Sequence, residues 1–599
     1  MKNRHEVPVE SKWDLTLLFE TEDSFEETLA KTEQDIANFA TRFDSQIETA
    51  SDINSALAEY REIMESVVQL SSYASLDVET NVFDKEAQTR LAMVDNKMAQ
   101  MMAQLSFLES DLSQLSIEVL EEAANNPEDA VYLNKLIQNK PHLLSKAEEK
   151  TLAALSNTIN FPYQSYNDIK FRDIKFPAVS VGNNTIEMTY NTFEGRLEDD
   201  VNTEIRREAF KVFSEKIAEY QSGTASAYNA QVQTEKTLSQ LRGYDSVIDY
   251  LLKRQDVSVD LYDRQIDVIM EELAPHMRRY AKLIGRIHDL DQVTYADLKL
   301  DIDPNYTPEV TYDEAKAYIM DGLAVLGDDY LAIMEEAFDN RWIDYAETTG
   351  KRTGAFCSSP YGANSFILMF FSESMADVMT LAHELGHAGH FQLTHANQNI
   401  LNSNPSMYFV EAPSTTNELL IENHLLDVTG DDLRMKRWVL SQMISKTYYH
   451  NFVTHFMEAY YQREVYRLVD AGKSVDAATL NEIFKDTLEK FWGDAVELTP
   501  GAELTWMRQP HYYMGLYPYT YSAGLTIGTQ VANKLRNEGA AVAENWTRVL
   551  KLGGSMSPED LAKEAGVDIS TDQPLKDTIA YIGSLIEEIE VITEELDQQ

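Results

Sequence analysis

With 599 residues, 44% of them hydrophobic, the chain is too long for one compact core of ordinary size and apolar enough to fill at least two lobes, which excludes wholesale disorder. Its formal net charge of −48 argues against nucleic acid or an anionic membrane surface as a main partner; solubility is the ordinary consequence of such a charge, and attraction of cationic substrates a second. The one cysteine, Cys357, allows no intramolecular disulfide, so a reducing compartment, the cytoplasm, is the expectation.

The opening stretch MKNRHEVPVESKWDL holds no apolar segment able to serve as a signal peptide. Beyond it most of the chain reads as helix. Only 24 Gly and 16 Pro interrupt it, and apolar residues recur at three- and four-residue spacing, as at Leu57, Tyr60, Met64 and Val67. The first clear break is Lys175 to Arg196, where Val179, Val181, Ile186 and Met188 flank the turn signal Gly182-Asn183-Asn184 and predict a short hairpin. A boundary is expected near residue 200, between an N-terminal helical region (1–200) and a larger C-terminal lobe (201–599). Asp199 to Leu241 is again helical in pattern and opens with acidic residues suited to the positive end of a helix.

A second non-helical zone runs from Tyr345 to about Ser372. Within it Cys357 is expected as a buried or half-buried thiol and not as a nucleophile. The apolar run Phe366 to Phe371 is far too short to span a membrane. Ser365 to Phe371 reads as a strand: either an edge that could pair with an extended peptide, or an interior strand of a small sheet.

That zone leads into LAHELGHAGH, Leu381 to His390. His383 and His387 stand one helical turn apart on one face, so both can reach a single metal ion. Glu384 is rotated off that face and can reach a metal-bound water without being a ligand, which is the physical content of an H-E-x-x-H motif. Chance from composition would yield such a pattern only about 0.04 times in this chain. Val378, Leu381, Ala382, Leu385 and Ala388 suit a buried helix around a dry site. The third ligand has two candidates. His390 continues the stripe, but a straight helix puts it roughly another 5.4 Å turn away, unless Gly386 and Gly389 loosen the helix. Glu411, in YFVEAPSTTNELL, follows His387 at a distance that allows a loop and a second helix; two His, one Glu and water form a hydrolytic zinc shell, and Glu411 is favoured.

HELGHAGH followed by FVEAPS, with Glu418 seven residues beyond Glu411, resembles the thimet oligopeptidase and oligoendopeptidase F family of zinc metallopeptidases. VPVESKWDLTLLF, YLNKLIQNKPHLLSKAEEKTLAAL and GGSMSPEDLAKEAGVDI extend the resemblance to oligoendopeptidase F across most of the chain, with an N-terminal domain of that type near 115–185. The resemblance implies one zinc ion on His383, His387 and Glu411. It also implies a mainly α, two-lobed helical metallopeptidase with a deep substrate channel and a small β-sheet beside the zinc helix, and it tips Ser365 to Phe371 toward the edge strand that pairs with substrate. KTYYHNFVTHFMEAYY (Lys446 to Tyr461) departs from the more acidic, phenylalanine-rich pattern of the family, which bears on subfamily and specificity.

In such a site Glu384 acts as the general base. The tetrahedral oxyanion needs further donors, and the segment Arg508 to Leu525 packs His511 and five tyrosines into a Gly/Pro-interrupted stretch. The resemblance implies a histidine and tyrosine pair, mapped best onto His511 and Tyr519, with Tyr517 and Tyr521 as alternatives. Glu418, two turns from Glu411 on the same helical face, is either placed to support the metal ligands or an ordinary surface carboxylate. The expected activity is cleavage of internal bonds in short, unfolded peptides. A peptidyl-dipeptidase, which would need a positive group for the C-terminal carboxylate, and a non-catalytic peptide-binding protein with a relic metal site are the rivals.

Overall fold

Thr21 and Thr49 start the first two long helices in the same way. Each hydroxyl accepts the amide three residues on, and the side chain there, Ser24 or Asp52, returns a bond to the capping amide. Helices α1 (Glu22–Phe43), α2 (Ala50–Thr80) and α3 (Lys85–Leu105) then bury their apolar stripes against one another. Leu57 and Val67 are buried as their spacing predicts, with Tyr60 and Met64 packed at the margin. This first core runs from Phe19 to Leu136. The computed structural model describes residues 2–598.

The second and larger core begins at Ile174. The predicted hairpin forms as β1 (Val179–Val181) and β2 (Asn184–Ile186), with Gly182 at φ +58° in the turn. Val179 and Met188 are buried in the larger core, so the hairpin belongs to the second lobe and the apolar division falls ahead of residue 200. Asp199 to Leu241 forms two helices, α4 (Thr203–Ala218) and α5 (Gln221–Leu241).

A three-stranded sheet follows: β3 (Ile343–Asp344), β4 (Phe356–Ser358) and β5 (Phe366–Leu368), in the order β3-β5-β4. β5 runs parallel to β3 and antiparallel to β4. The Ser365 to Phe371 segment therefore supplies the interior strand, fully buried at Phe366, Ile367 and Leu368, and the edge toward the following helix is β4. A strap from the first lobe crosses this sheet. Arg4 pairs with buried Asp344 at 2.6 Å, the Trp13 amide reaches the same carboxylate, and the Trp13 ring packs edge-on against Phe366 and Phe356. Lys351 closes the knot, pairing with Asp344 at 2.8 Å and donating to the carbonyls of Asp344, Ala346 and Met369.

Behind the sheet lie α6 (Met375–His395), α7 (Glu411–Val428), α8 (His455–Asp470) and α9 (Tyr519–Glu538). Two π-helical turns, Met443–Tyr448 and His450–Thr454, lead into α8. The protein is thus mainly α, with two lobes and a small sheet beside α6. Among the described residues no helix is long and apolar enough to cross a membrane.

Candidate active site

Ser374 fixes where α6 begins: its hydroxyl accepts the Asp377 amide, and the Asp377 carboxylate bonds back to Ser374. Val378, Leu381, Ala382, Leu385 and Ala388 are fully buried, which sets the rotation of the helix and leaves His383 and His387 facing α7. Gly386, between the two histidines, permits that approach. A Cβ there would lie 2.5 Å from Ser414 Cα and 2.9 Å from the Pro413 carbonyl oxygen. From the other side α9 brings Gly524 against Glu411 and Gly528 against Thr415. Helix α7 is held between two glycine-bearing faces, and its first residue, Glu411, is delivered to the histidines. Gly386 and Gly389 are close-packing positions and not hinges: α6 is unbroken, and Gly389 faces the Tyr330 ring.

Glu411 Oε2 lies 3.4 Å from His383 Nε2 and 3.3 Å from His387 Nε2, with one ligand atom from each residue within 4.8 Å of the others. Two ligands each 2.0–2.2 Å from a tetrahedral zinc stand about 3.3–3.5 Å apart, so this donor set fits the ion. Burial disfavours the charged forms, yet the imidazole–carboxylate pairing prevails and holds Glu411 well below the usual carboxylate range and His383 well above its own. His383 Nδ1 pairs with Glu418, whose other oxygen accepts the Thr447 hydroxyl at 2.8 Å. That bond turns His383 Nε2 toward Glu411. His390 stands apart: it is 1% exposed, packs on Phe409, and its Nδ1 has no hydrogen-bond partner among the described residues. Burial pushes its pKa down to about 3, so it is a neutral core imidazole.

These groups open onto a cavity of about 700 Å³. Glu384 faces it at 6% exposure, its carboxyl pushed upward by burial. The π-helical turns form the wall opposite α6, with Lys446, Thr447 and Asn451, and Ala355 and Phe356 bring β4 to the margin. Cys357 also borders the cavity, but burial and then the Glu384 charge push its thiol up to about 12, so it stays protonated.

The tyrosines divide. Tyr517 and Tyr521 line the cavity. Tyr519, expected as the oxyanion donor, does not: it is 1% exposed, packs on Tyr262 and Tyr408, and donates its hydroxyl to Gln255 at 2.6 Å. The reason is helical phase. Helix α9 begins at Tyr519, so residues 519 and 521 point about 200° apart. His511 is half-buried behind this wall, its ring 5.3 Å from Tyr517 and 5.8 Å from Tyr521, with Nδ1 3.1 Å from Glu458 Oε2. Thr447, His455 and Glu458 were not singled out by sequence. They fall in the stretch marked only as a departure from the family pattern, and no spacing rule links Glu458 to a histidine 53 residues away.

The family model for peptidase family M3 matches residues 196–581, and that for oligopeptidase F matches residues 111–176. Oligopeptidase PepF of Bacillus subtilis is 26% identical over the whole of this chain and 89% of its own length. A chain in a crystal structure from Chlamydophila abortus superposes with TM-score 0.86 at 21% identity, covering 99% of this chain and 100% of that one. The crystal structure of oligoendopeptidase-F from Enterococcus faecium superposes with TM-score 0.74 at 20% identity, covering 96% and 99%. With a helical fold, a His-His-Glu cluster over a large cavity and a family match across most of its length, the chain belongs to peptidase family M3, in its oligoendopeptidase F group.

Proposed function

We propose that the chain is a zinc-dependent endopeptidase acting on short, unfolded peptides in the cytoplasm. The observation that carries this reading is the convergence of His383 Nε2, His387 Nε2 and Glu411 Oε2 at metal-ligand spacing beside the buried carboxyl of Glu384. His383, His387 and Glu411 would hold a zinc ion, which would supply Lewis acidity and lower the pKa of a bound water from about 15.7 to about 7.

Glu384 takes the proton from the attacking water and hands it to the departing amine, a task suited to a carboxyl whose proton affinity is raised by burial. Tyr517 or Tyr521, with His511 behind them, donates to the carbonyl oxygen as it gains charge. An extended peptide pairs along β4, the sheet edge at the cavity margin, and not along β5. A cavity of about 700 Å³ admits a few residues of extended chain and no folded domain. The name oligoendopeptidase F carried by relatives that align over nearly their full length supports the same substrate class.

One observation favours a second reading. Lys446, the only Lys or Arg among the residues lining the cavity, is exposed and has no ion-pair partner within 4 Å among the described residues. It offers the cation a peptidyl-dipeptidase needs for a C-terminal carboxylate. Mass-spectrometric mapping of products from a peptide mixture separates the two: internal cuts support the endopeptidase, successive C-terminal dipeptides the alternative. Metal analysis completes the test. Glu384→Gln should retain one zinc per chain and lose about 10²–10⁴ in kcat; a Gln variant of wild-type activity overturns the mechanism.

A further inference from the structure

Behind Tyr517 and Tyr521 lies a buried charged network of which the mechanism above uses only His511. His455 and Glu458 stand one turn apart on α8, and His511 comes from the short helical turn Pro510–Tyr513. All three meet at one oxygen: Glu458 Oε2 is 3.0 Å from His455 Nδ1 and 3.1 Å from His511 Nδ1. His455 Nε2 lies 3.1 Å from Nε2 of His450, which borders the cavity. Glu458 is 2% exposed, and its second oxygen has no hydrogen-bond partner among the described residues. Burial alone would neutralise such a carboxyl; His455 and then His511 outweigh it and bring it down to about 2.

Two His and one Glu are again a possible metal set. Their spacing differs from that of the first cluster. The separations of 3.0 and 3.1 Å are those of N–H···O hydrogen bonds, against 3.3 and 3.4 Å where a tetrahedral ion would fit. An ionised carboxylate can only accept, so both Nδ1 atoms carry hydrogen and the tautomers are set. His511 is left with Nε2 as its free nitrogen. His455, held by the same oxygen, lies flat against the Tyr521 ring, centroids 3.8 Å apart at 14°.

We propose that Glu458 is the positioning residue of the tyrosine wall: it orients His511 directly, and Tyr521 through the His455 ring beneath it. This role rests on the peptidase reading above. A carboxylate is needed for its charge: an amide oxygen could still accept both Nδ1–H bonds, but it holds the rings more weakly, and its NH2 would take the buried place of the second oxygen, where no hydrogen-bond partner stands among the described residues.

The test is Glu458→Gln, measured in kcat, KM, zinc content and histidine ring-nitrogen NMR of the metal-free protein. We expect kcat to fall about 10–100-fold, as for other carboxylate partners of working histidines, with KM and zinc content unchanged. Glu458→Asp, which keeps the charge, should recover part of the loss, and it carries the test if the Gln variant does not fold. In a His511→Ala background, Glu458→Gln should cost less than it does in the wild type, since one of its two routes is already gone and only that through His455 to Tyr521 remains. The Nδ1–H signal of His511, assigned by its disappearance in His511→Ala, should be present in the wild type and altered in Glu458→Gln. Wild-type kcat in Glu458→Gln, fully additive losses in the double variant, or a second zinc per chain that this substitution removes would each overturn the proposal. Failure of the zinc-loaded wild type to cleave any peptide sinks the peptidase reading instead, and the NMR result separates the two failures.

Discussion

Gly386→Ala probes what places Glu411 beside the histidines. The added Cβ would meet Ser414 Cα at 2.5 Å and the Pro413 carbonyl oxygen at 2.9 Å, both backbone atoms of α7 that no rotamer change can move. Ordinary contact begins near 3.4 Å, so the two helices must part by about 0.9 Å, at an overpacking cost of about 1–3 kcal/mol. Parting them carries Glu411 Oε2 away from His383 and His387, from separations of 3.3–3.4 Å toward about 4.2 Å. Zinc ligand distances tolerate only about 0.2 Å, so affinity should fall at least tenfold, or about 1.4 kcal/mol. Competition against a chelator of known affinity measures this, with the Tm of the metal-free protein recorded in parallel. Gly285→Ala is the control: its Cβ would clash with Val293 Cγ2 at 2.7 Å, away from the metal ligands, and should lower Tm while leaving zinc affinity alone. Zinc affinity within twofold of wild type in Gly386→Ala would show that the helix crossing does not set the ligand geometry.

Three further outcomes are expected. Glu411→Gln should weaken zinc binding while His390→Ala leaves it intact; the opposite pattern, read by metal analysis, returns the third ligand to His390. Tyr517→Phe or Tyr521→Phe should lower kcat by about 10²–10³ without zinc loss, whereas Tyr519→Phe should keep its turnover and lose about 1–3 kcal/mol of stability with its bond to Gln255. Glu235, buried on α5 with Tyr466 and Gln231 donating to it, is raised by burial from 4.5 to about 7. A raised carboxyl stabilises the fold fully below pH 4.5 and loses that contribution as pH climbs through about 7. Glu235→Gln should therefore raise Tm at pH 8, by up to about 3 kcal/mol of stability, and leave it nearly unchanged at pH 4.5; equal shifts at both pH values would refute the assignment.

Helix α6 was legible because its signals are local. A cap, an apolar face and two histidines one turn apart all lie within Ser374 to His387. Glu411 could be chosen because the geometry of a straight helix disfavours His390, and the Gly182 turn because its flanks alternate. The failures share a different cause. Whether β5 is interior depends on β4, three residues with no period of their own, pairing from ten residues away. Tyr519 was misplaced because Y-P-Y-T-Y permits either phase: in a strand all three tyrosines would share one face, but α9 starts between them. The hairpin was assigned to the wrong lobe because its partners in the larger core come from elements after residue 200. Glu458 gave no signal, since its meaning lies in His511, 53 residues downstream.

The strap that ties Arg4 and Trp13 to Asp344 has a consequence in time. Trp13 and its carboxylate partner are 331 residues apart. At roughly 5–20 residues per second, a ribosome needs about 17–66 s to make that partner after Trp13 has been made. Helices from Phe19 to Leu136 can close their own core well before then, while Trp13, which Leu76 of α2 can already meet, waits without the Phe356 and Phe366 rings that complete its packing. The sheet that borders the cavity is thus finished by one of the earliest segments synthesised, and the sheet-facing side of Trp13 stays open until more than half of the chain has been made.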